Sequence, residues 1–97
     1  MRNYEAMFIF HPGLRDEQLE KEAGTVEEII KTSGAGSVRY QLLGKKVLAY
    51  PVEKQKEGYY VNYEFSIAPD RIEHIKDKLK HHGNVLRFMI ISREKRK

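Results

Sequence analysis

"YYVNYEFSIAPDRIEHIKDKL" (residues 59–79) passes from one hydrophobic period to another. Val61, Tyr63, Phe65 and Ile67 alternate with Tyr60, Asn62 and Glu64, the period of two that a half-buried strand requires. Ala68-Pro69-Asp70 then reads as a helix entry, with proline in the first turn, where its missing N–H costs nothing. Ile72, Ile75 and Leu79 follow at helical spacing as a buried stripe, and Gly83 is expected to cap the helix end. A strand and a helix that are each apolar on one side need a common core between them.

Working outward, Val85 to Ser92 reads as a strand in which Phe88 and Ile90 alternate with Arg87, Met89 and Ile91. The N-terminal half has the same plan. Asn3 to Phe10 is a strand with Tyr4, Ala6, Phe8 and Phe10 on one face and Asn3, Glu5, Met7 and Ile9 on the other. His11-Pro12-Gly13 is turn chemistry, and Asp16 and Glu17 suit the positive end of a helix. Leu19, Ala23, Val26 and Ile30 lie on one face of that helix, which runs to Ser33. Gly24, inside it, costs about 1 kcal/mol relative to alanine, and close packing against a strand is its expected use. Gly34 suits the left-handed position after the helix.

Ser37 to Leu43 and Lys45 to Val52 are extended and joined through Gly44, which reads as a bulge. Pro51 cannot donate to a sheet ladder and so places this ribbon at an edge. Glu53 to Gly58 reads as a polar turn, and the central strand is expected to begin at its end. The order is strand, helix, strand, strand, helix, strand. With right-handed crossovers this predicts an α+β, ferredoxin-like sandwich: a four-stranded antiparallel sheet, first and third strands central, with two helices on one face. Residues 1–92 would form this single domain and 93–97 a short basic tail. The other sheet face, bearing Glu5, Met7, Tyr60, Asn62, Arg87 and Met89, has no helix to cover it.

A chain of 97 residues is consumed by one domain of ordinary size. The absence of cysteine excludes a disulfide framework, a thiolate zinc site and a cysteine nucleophile, and suits a reducing cytoplasm. "MRNYEAMFIF" is interrupted by Glu5 and lacks a small-residue cleavage site, unlike a signal peptide. No apolar stretch is long enough to cross a bilayer, so a soluble protein is expected. The formal net charge is +4, and residues 93–97 contribute four basic groups and one acid to it.

No catalytic constellation assembles from the residues. His11, His74, His81 and His82 lack the companions of a metal site, and Gly34-Ala35-Gly36 lacks the lysine and hydroxyl of a phosphate loop. None of the four serines sits in a nucleophile elbow. No enzyme activity, metal or cofactor is expected. Binding has more to work with. Arg2, Lys45, Lys46, Lys54, Lys56, Arg87 and Arg93 can border the open face or its rim, where cations neutralise phosphates without reading sequence. Tyr59 and Tyr60 could offer ring faces to unpaired bases, or one could belong to the core and the other cover the sheet. The ribbon Leu42 to Tyr50 could equally accept an extended protein segment, or be a solvated edge guarded by Lys45 and Lys46.

"GKKVLAYPVEKQKEGYY" (44–60), together with "MRNYEAMFIF", the "APD" helix entry and "NVLRFMIIS", resembles the bacterial small-subunit ribosomal protein six family over about residues 1 to 93. The resemblance implies a non-catalytic, cytoplasmic constituent of the small ribosomal subunit. It also implies binding to the central domain of 16S rRNA together with small-subunit ribosomal protein eighteen, stabilising the assembled platform. The matching positions are Arg2, Tyr4, the pair Lys45 and Lys46, and Arg87. Leu48 to Tyr50 would anchor the basic edge in the domain and Pro51 would end its pairing. Lysine at the pair gives point charge where the family often has the bidentate fork of arginine. Two other functions remain on the residues alone. One is a regulatory module of the same fold that binds a metabolite or oligomerises through its sheet. The other is an acylphosphatase-like enzyme using the turn His11 to Arg15.

Overall fold

A computed structural model describes residues 2–80 and 82–93. The elements are β1 (Arg2–Phe10), α1 (Asp16–Thr32), β2 (Ser37–Val52), β3 (Gln55–Ile67), a 3-10 turn (Pro69–Arg71), α2 (Ile72–Leu79) and β4 (Val85–Ser92). The sheet order is β2-β3-β1-β4, and every neighbouring pair is antiparallel. This is the ferredoxin-like arrangement the element order predicts. Phe8 lies opposite Val61 on one side and Phe88 on the other, so β1 is at the centre of the core.

The alternation seen in the sequence becomes burial. Ala6, Phe8, Phe10, Val61, Tyr63 and Ile67 point under the helices, which close over them with Ala23, Val26, Ile30, Ile75 and Leu79. The Phe8 ring meets Tyr63 edge-on at 5.1 Å and stacks on Phe88 at 5.2 Å, favoured aromatic geometries in both cases. Tyr63 is also the polar tie between the layers, because its hydroxyl donates to the Ala23 carbonyl of α1 at 2.7 Å. Burial, with Tyr40 and Glu27 nearby, pushes the Tyr63 phenol well above its ordinary range, so it stays a donor.

Both ends of α1 are closed locally. The Arg15 N–H donates to Gln18 Oε1 at 2.9 Å, and Asp16 and Glu17 occupy the first turn. At the other end Gly34 has φ +112°, its N–H donates to the Lys31 carbonyl, and the Ala35 N–H donates to the Ile30 carbonyl, a Schellman closure. Arg71 Nε donates to the Ser33 carbonyl at 3.0 Å and so joins the start of the second crossover to the end of α1. On the far side, Glu22 of α1 accepts from Asn84 at 2.9 Å and pairs with His82. Burial opposes the charged form of Glu22. The His82 and Asn84 hydrogen bonds, with the charges of His82 and Lys21, outweigh it and hold the carboxyl below its usual range.

Four expectations need correction. A Cβ on Gly24 would meet nothing within 4 Å outside its own helix, so close packing is not its purpose. Gly24→Ala should therefore stabilise the fold by about 1 kcal/mol, raising Tm by about 4–8 °C in a calorimetric scan. A lower Tm would show that α1 needs the glycine. Second, α2 ends at Leu79 with Lys80 in right-handed geometry, so Gly83 is not its cap. Third, the β2–β3 turn is only Glu53 and Lys54, both at positive φ, and β3 is already paired at Gln55, which puts Lys56 in a strand. Fourth, pairing of β2 breaks after Val47 and resumes at Val52, so it is interrupted before Pro51 rather than ended there.

Candidate nucleic-acid interface

The basic pair sits on the edge strand, and a bulge decides where each lysine points. Leu42 lies opposite Val61 and Gly44 opposite Tyr60, so β2 advances two residues while β3 advances one. Gly44 takes the φ of +94° that such a bulge needs. Lys45 then falls opposite Tyr59, on the helix side, with its ammonium 5.1 Å from the Tyr59 ring centre. Lys46 falls opposite Gly58, on the open side. The two lysines thus flank the edge from opposite faces of the sheet. No described carboxylate is within ion-pair distance of either one. Leu42, Leu43 and Val47 beside them are also exposed.

Beyond Val47, residues 48–51 leave the ladder and curl over the open face as a strap. Leu48 is buried and anchors it, but Tyr50 is exposed, so only the first residue of the predicted anchor has that role. Tyr50 instead reaches Arg87 of β4, whose guanidinium donates to its hydroxyl at 2.5 Å and lies 5.6 Å from its ring centre. Under the strap is a recess of about 290 Å³, whose walls include Met7, Ile9, Tyr60, Arg87 and Met89. Tyr60 and Arg87, both predicted site residues, meet here. Of the two adjacent tyrosines, Tyr59 packs against the core and Tyr60 faces the open side.

The other end of the face is polar. Glu64 holds Arg39 at 2.7 Å through one carboxylate oxygen and Arg93 at 3.0 Å through the other. Arg93 is therefore a strand-end residue tied into the sheet, and its N–H donates to the Asn3 carbonyl. The rest of the predicted basic tail, 94–97, lies outside the described residues, as does His81. Tyr4 departs from an open surface position: it is 9 % exposed and stacked on Phe65 at 5.9 Å, so its ring belongs to the core. Arg2 is exposed at the start of β1, and Lys54 and Lys56 are exposed around the β2–β3 turn, away from Arg93. The nine predicted residues therefore do not form one patch. Arg39 and Tyr50 were missed as site residues, since their partners are separated by 25 and 37 residues in the chain. Among the described residues, no three histidine, aspartate or glutamate side chains gather as a metal site would need.

A helix-backed sheet with an open face and cations at its rim is a binding scaffold, and comparison with known proteins says which. The family described as ribosomal protein S6 matches residues 3–92, and the chain belongs to that family. Small ribosomal subunit protein bS6 of Clostridioides difficile is 38 % identical over 91 residues, 94 % of this chain and 98 % of that protein. Small ribosomal subunit protein bS6 of Thermosynechococcus vestitus is 33 % identical over 90 residues, 93 % of this chain and 79 % of that one. The crystal structure of 30S ribosomal protein S6 from Thermotoga maritima superposes with a TM-score of 0.83 at 24 % identity, covering 95 % of this chain and 87 % of that one. The chain is accordingly a structural protein of the small ribosomal subunit, a family that is not enzymatic.

Proposed function

We propose that this chain binds the central domain of 16S rRNA together with small-subunit ribosomal protein eighteen and stabilises the folded junction there. Residues 1–92 act as the single binding domain, and the basic residues 93–97 add charge at its end. The observation that carries this reading is the edge of β2, where Lys45 and Lys46 stand on both sides of the sheet with no carboxylate partner among the described residues. Cations free of acids keep their full charge for phosphates, and two that flank an edge can grip a backbone passing over it. Arg2, Lys54 and Lys56 extend the positive rim, while Arg87 and Tyr60 border the recess. Arg39 and Arg93 contribute less free charge, because Glu64 offsets them.

The test is binding to a fragment of the central domain at several salt concentrations, with and without the partner protein. Tight binding is expected only with both proteins present. Replacing Lys45 and Lys46 by alanine together should flatten the slope of log affinity against log salt by about 1–2, roughly one for each lost phosphate contact. An unchanged slope would remove the lysines from the RNA contact. Binding no tighter than to random RNA would end the reading.

A further inference from the structure

We propose that the open face of the sheet receives a lysine or arginine side chain from a protein partner, seated between Met7, Met89 and Ile91 and hydrogen-bonded to Glu5 and Asn62. This rests on the preceding reading, in which the RNA is bound by a pair of proteins, and assigns the centre of the face to the protein member.

The argument begins with charge. Two acids lie on this face, and they are treated differently. Glu64 is saturated by two guanidinium groups, whereas Glu5 accepts only from Asn62 Nδ2 at 2.9 Å and has no described cation within ion-pair distance. Asn62 turns its amide donor to Glu5, and that leaves its own Oδ1 buried with no hydrogen-bond partner. An orphaned acceptor of this kind is a penalty that the fold carries until a donor arrives. Glu5 therefore presents a carboxylate without a described cation, and a donor entering beside it reaches the Asn62 oxygen as that side chain turns toward it.

That point is concave and apolar at its rim. Glu5, Met7, Asn62, Met89 and Ile91 line a notch of about 130 Å³, room for the head of one side chain. Met89 and Ile91 remain 62 % and 51 % exposed, large apolar side chains that the described residues leave uncovered. A lysine or arginine answers each feature: its N–H groups reach the carboxylate and the amide oxygen, and its methylene stem lies along the methionine and isoleucine side chains. A phosphate answers none of them, since it brings acceptors to acceptors and a negative charge to Glu5. The face centre thus excludes the RNA backbone that the β2 edge attracts.

The experiment titrates purified small-subunit ribosomal protein eighteen into the wild-type chain, Glu5→Gln, Glu5→Lys and Met89→Ala, by calorimetry, and measures RNA binding of each variant alone. Glu5→Gln keeps an acceptor for Asn62 and so preserves the fold, which a thermal melt checks. Affinity for the partner is expected to fall about tenfold in Glu5→Gln and about a hundredfold in Glu5→Lys, as for loss and reversal of a desolvated charge pair. Met89→Ala should weaken it severalfold with little change in salt dependence. Undiminished partner binding by Glu5→Lys overturns the inference while leaving the RNA reading intact. If Glu5→Gln gains RNA affinity and keeps partner affinity, the face belongs to RNA and the inference is again overturned. If the wild-type chain does not bind the partner at all, the pairing proposed above fails and takes this inference with it.

Discussion

Tyr63→Ala should cost about 4 kcal/mol, the range for removing a buried aromatic side chain. Domains of this size have about 5–15 kcal/mol in total, so this one change consumes a large share. Tyr63 is fully buried, its ring packs on Phe8 and against Tyr40 at 5.3 Å, and its hydroxyl reaches the backbone of α1. Tyr63→Phe separates the two roles. It keeps the ring and deletes only the donor to Ala23, for an expected loss of about 1–2 kcal/mol. Urea unfolding of the two variants measures both. Equal losses would mean that the hydroxyl, not the ring, dominates, and losses below 1 kcal/mol for both would show that α1 and the sheet are held together elsewhere.

Gly58→Ala should cost about 2–3 kcal/mol, large for the addition of one methyl group. The new Cβ would overlap Ile9 Cγ2 and stand 3.1 Å from the Phe10 carbonyl oxygen. Ile9 lines the recess beneath the strap, which gives its side chain room to shift, but the Phe10 carbonyl belongs to the backbone of the central strand and cannot yield without disturbing the β1–β3 ladder. Glycine here permits close approach rather than an unusual φ. The check is a chemical unfolding curve together with the exposure of Tyr50 to a small quencher. If Ile9 is pushed outward, the strap lifts, Tyr50 becomes more accessible, and stability falls. A loss below 0.5 kcal/mol with Tyr50 unchanged would mean that the two strands can part at that end without penalty.

The fold was legible because its signals are local. Period-two runs at residues 3–10, 59–67 and 85–92, and helical stripes from Leu19 and from Ile72, each mark one element, and their order leaves few topologies. The turn was not legible, since Glu53-Lys54 has neither the glycine nor the asparagine that usually marks two left-handed residues. Nor was the strap, because residues 48–51 keep strand-like composition after leaving the ladder. For Tyr4 the alternation with Ala6 and Phe8 already pointed inward; the family match alone suggested a surface role. At the candidate site, single cations were visible in the sequence but their pairing was not. Whether Glu64 offsets Arg39 and Arg93, or Glu5 meets Asn62 and no described cation, depends on neighbours brought together from distant segments.

The bulge at Gly44 has an evolutionary consequence. Side chains alternate along a strand, and a bulge absorbs one extra residue, so it reverses the odd-even order of the faces for everything that follows it until the next irregularity. If the strand ran on with every residue kept and no bulge, Lys45 would move to the open side, Lys46 would turn under the helix layer, and Leu48 would leave the recess it now closes. Closing the bulge by a one-residue slip would therefore exchange the two faces of the edge while altering none of its residues, whereas deleting Leu43 would leave Lys45 opposite Tyr59 and Lys46 opposite Gly58. The left-handed glycine before the basic pair is thus as much a part of the inherited interface as the lysines, and a count of charges alone would not reveal its loss.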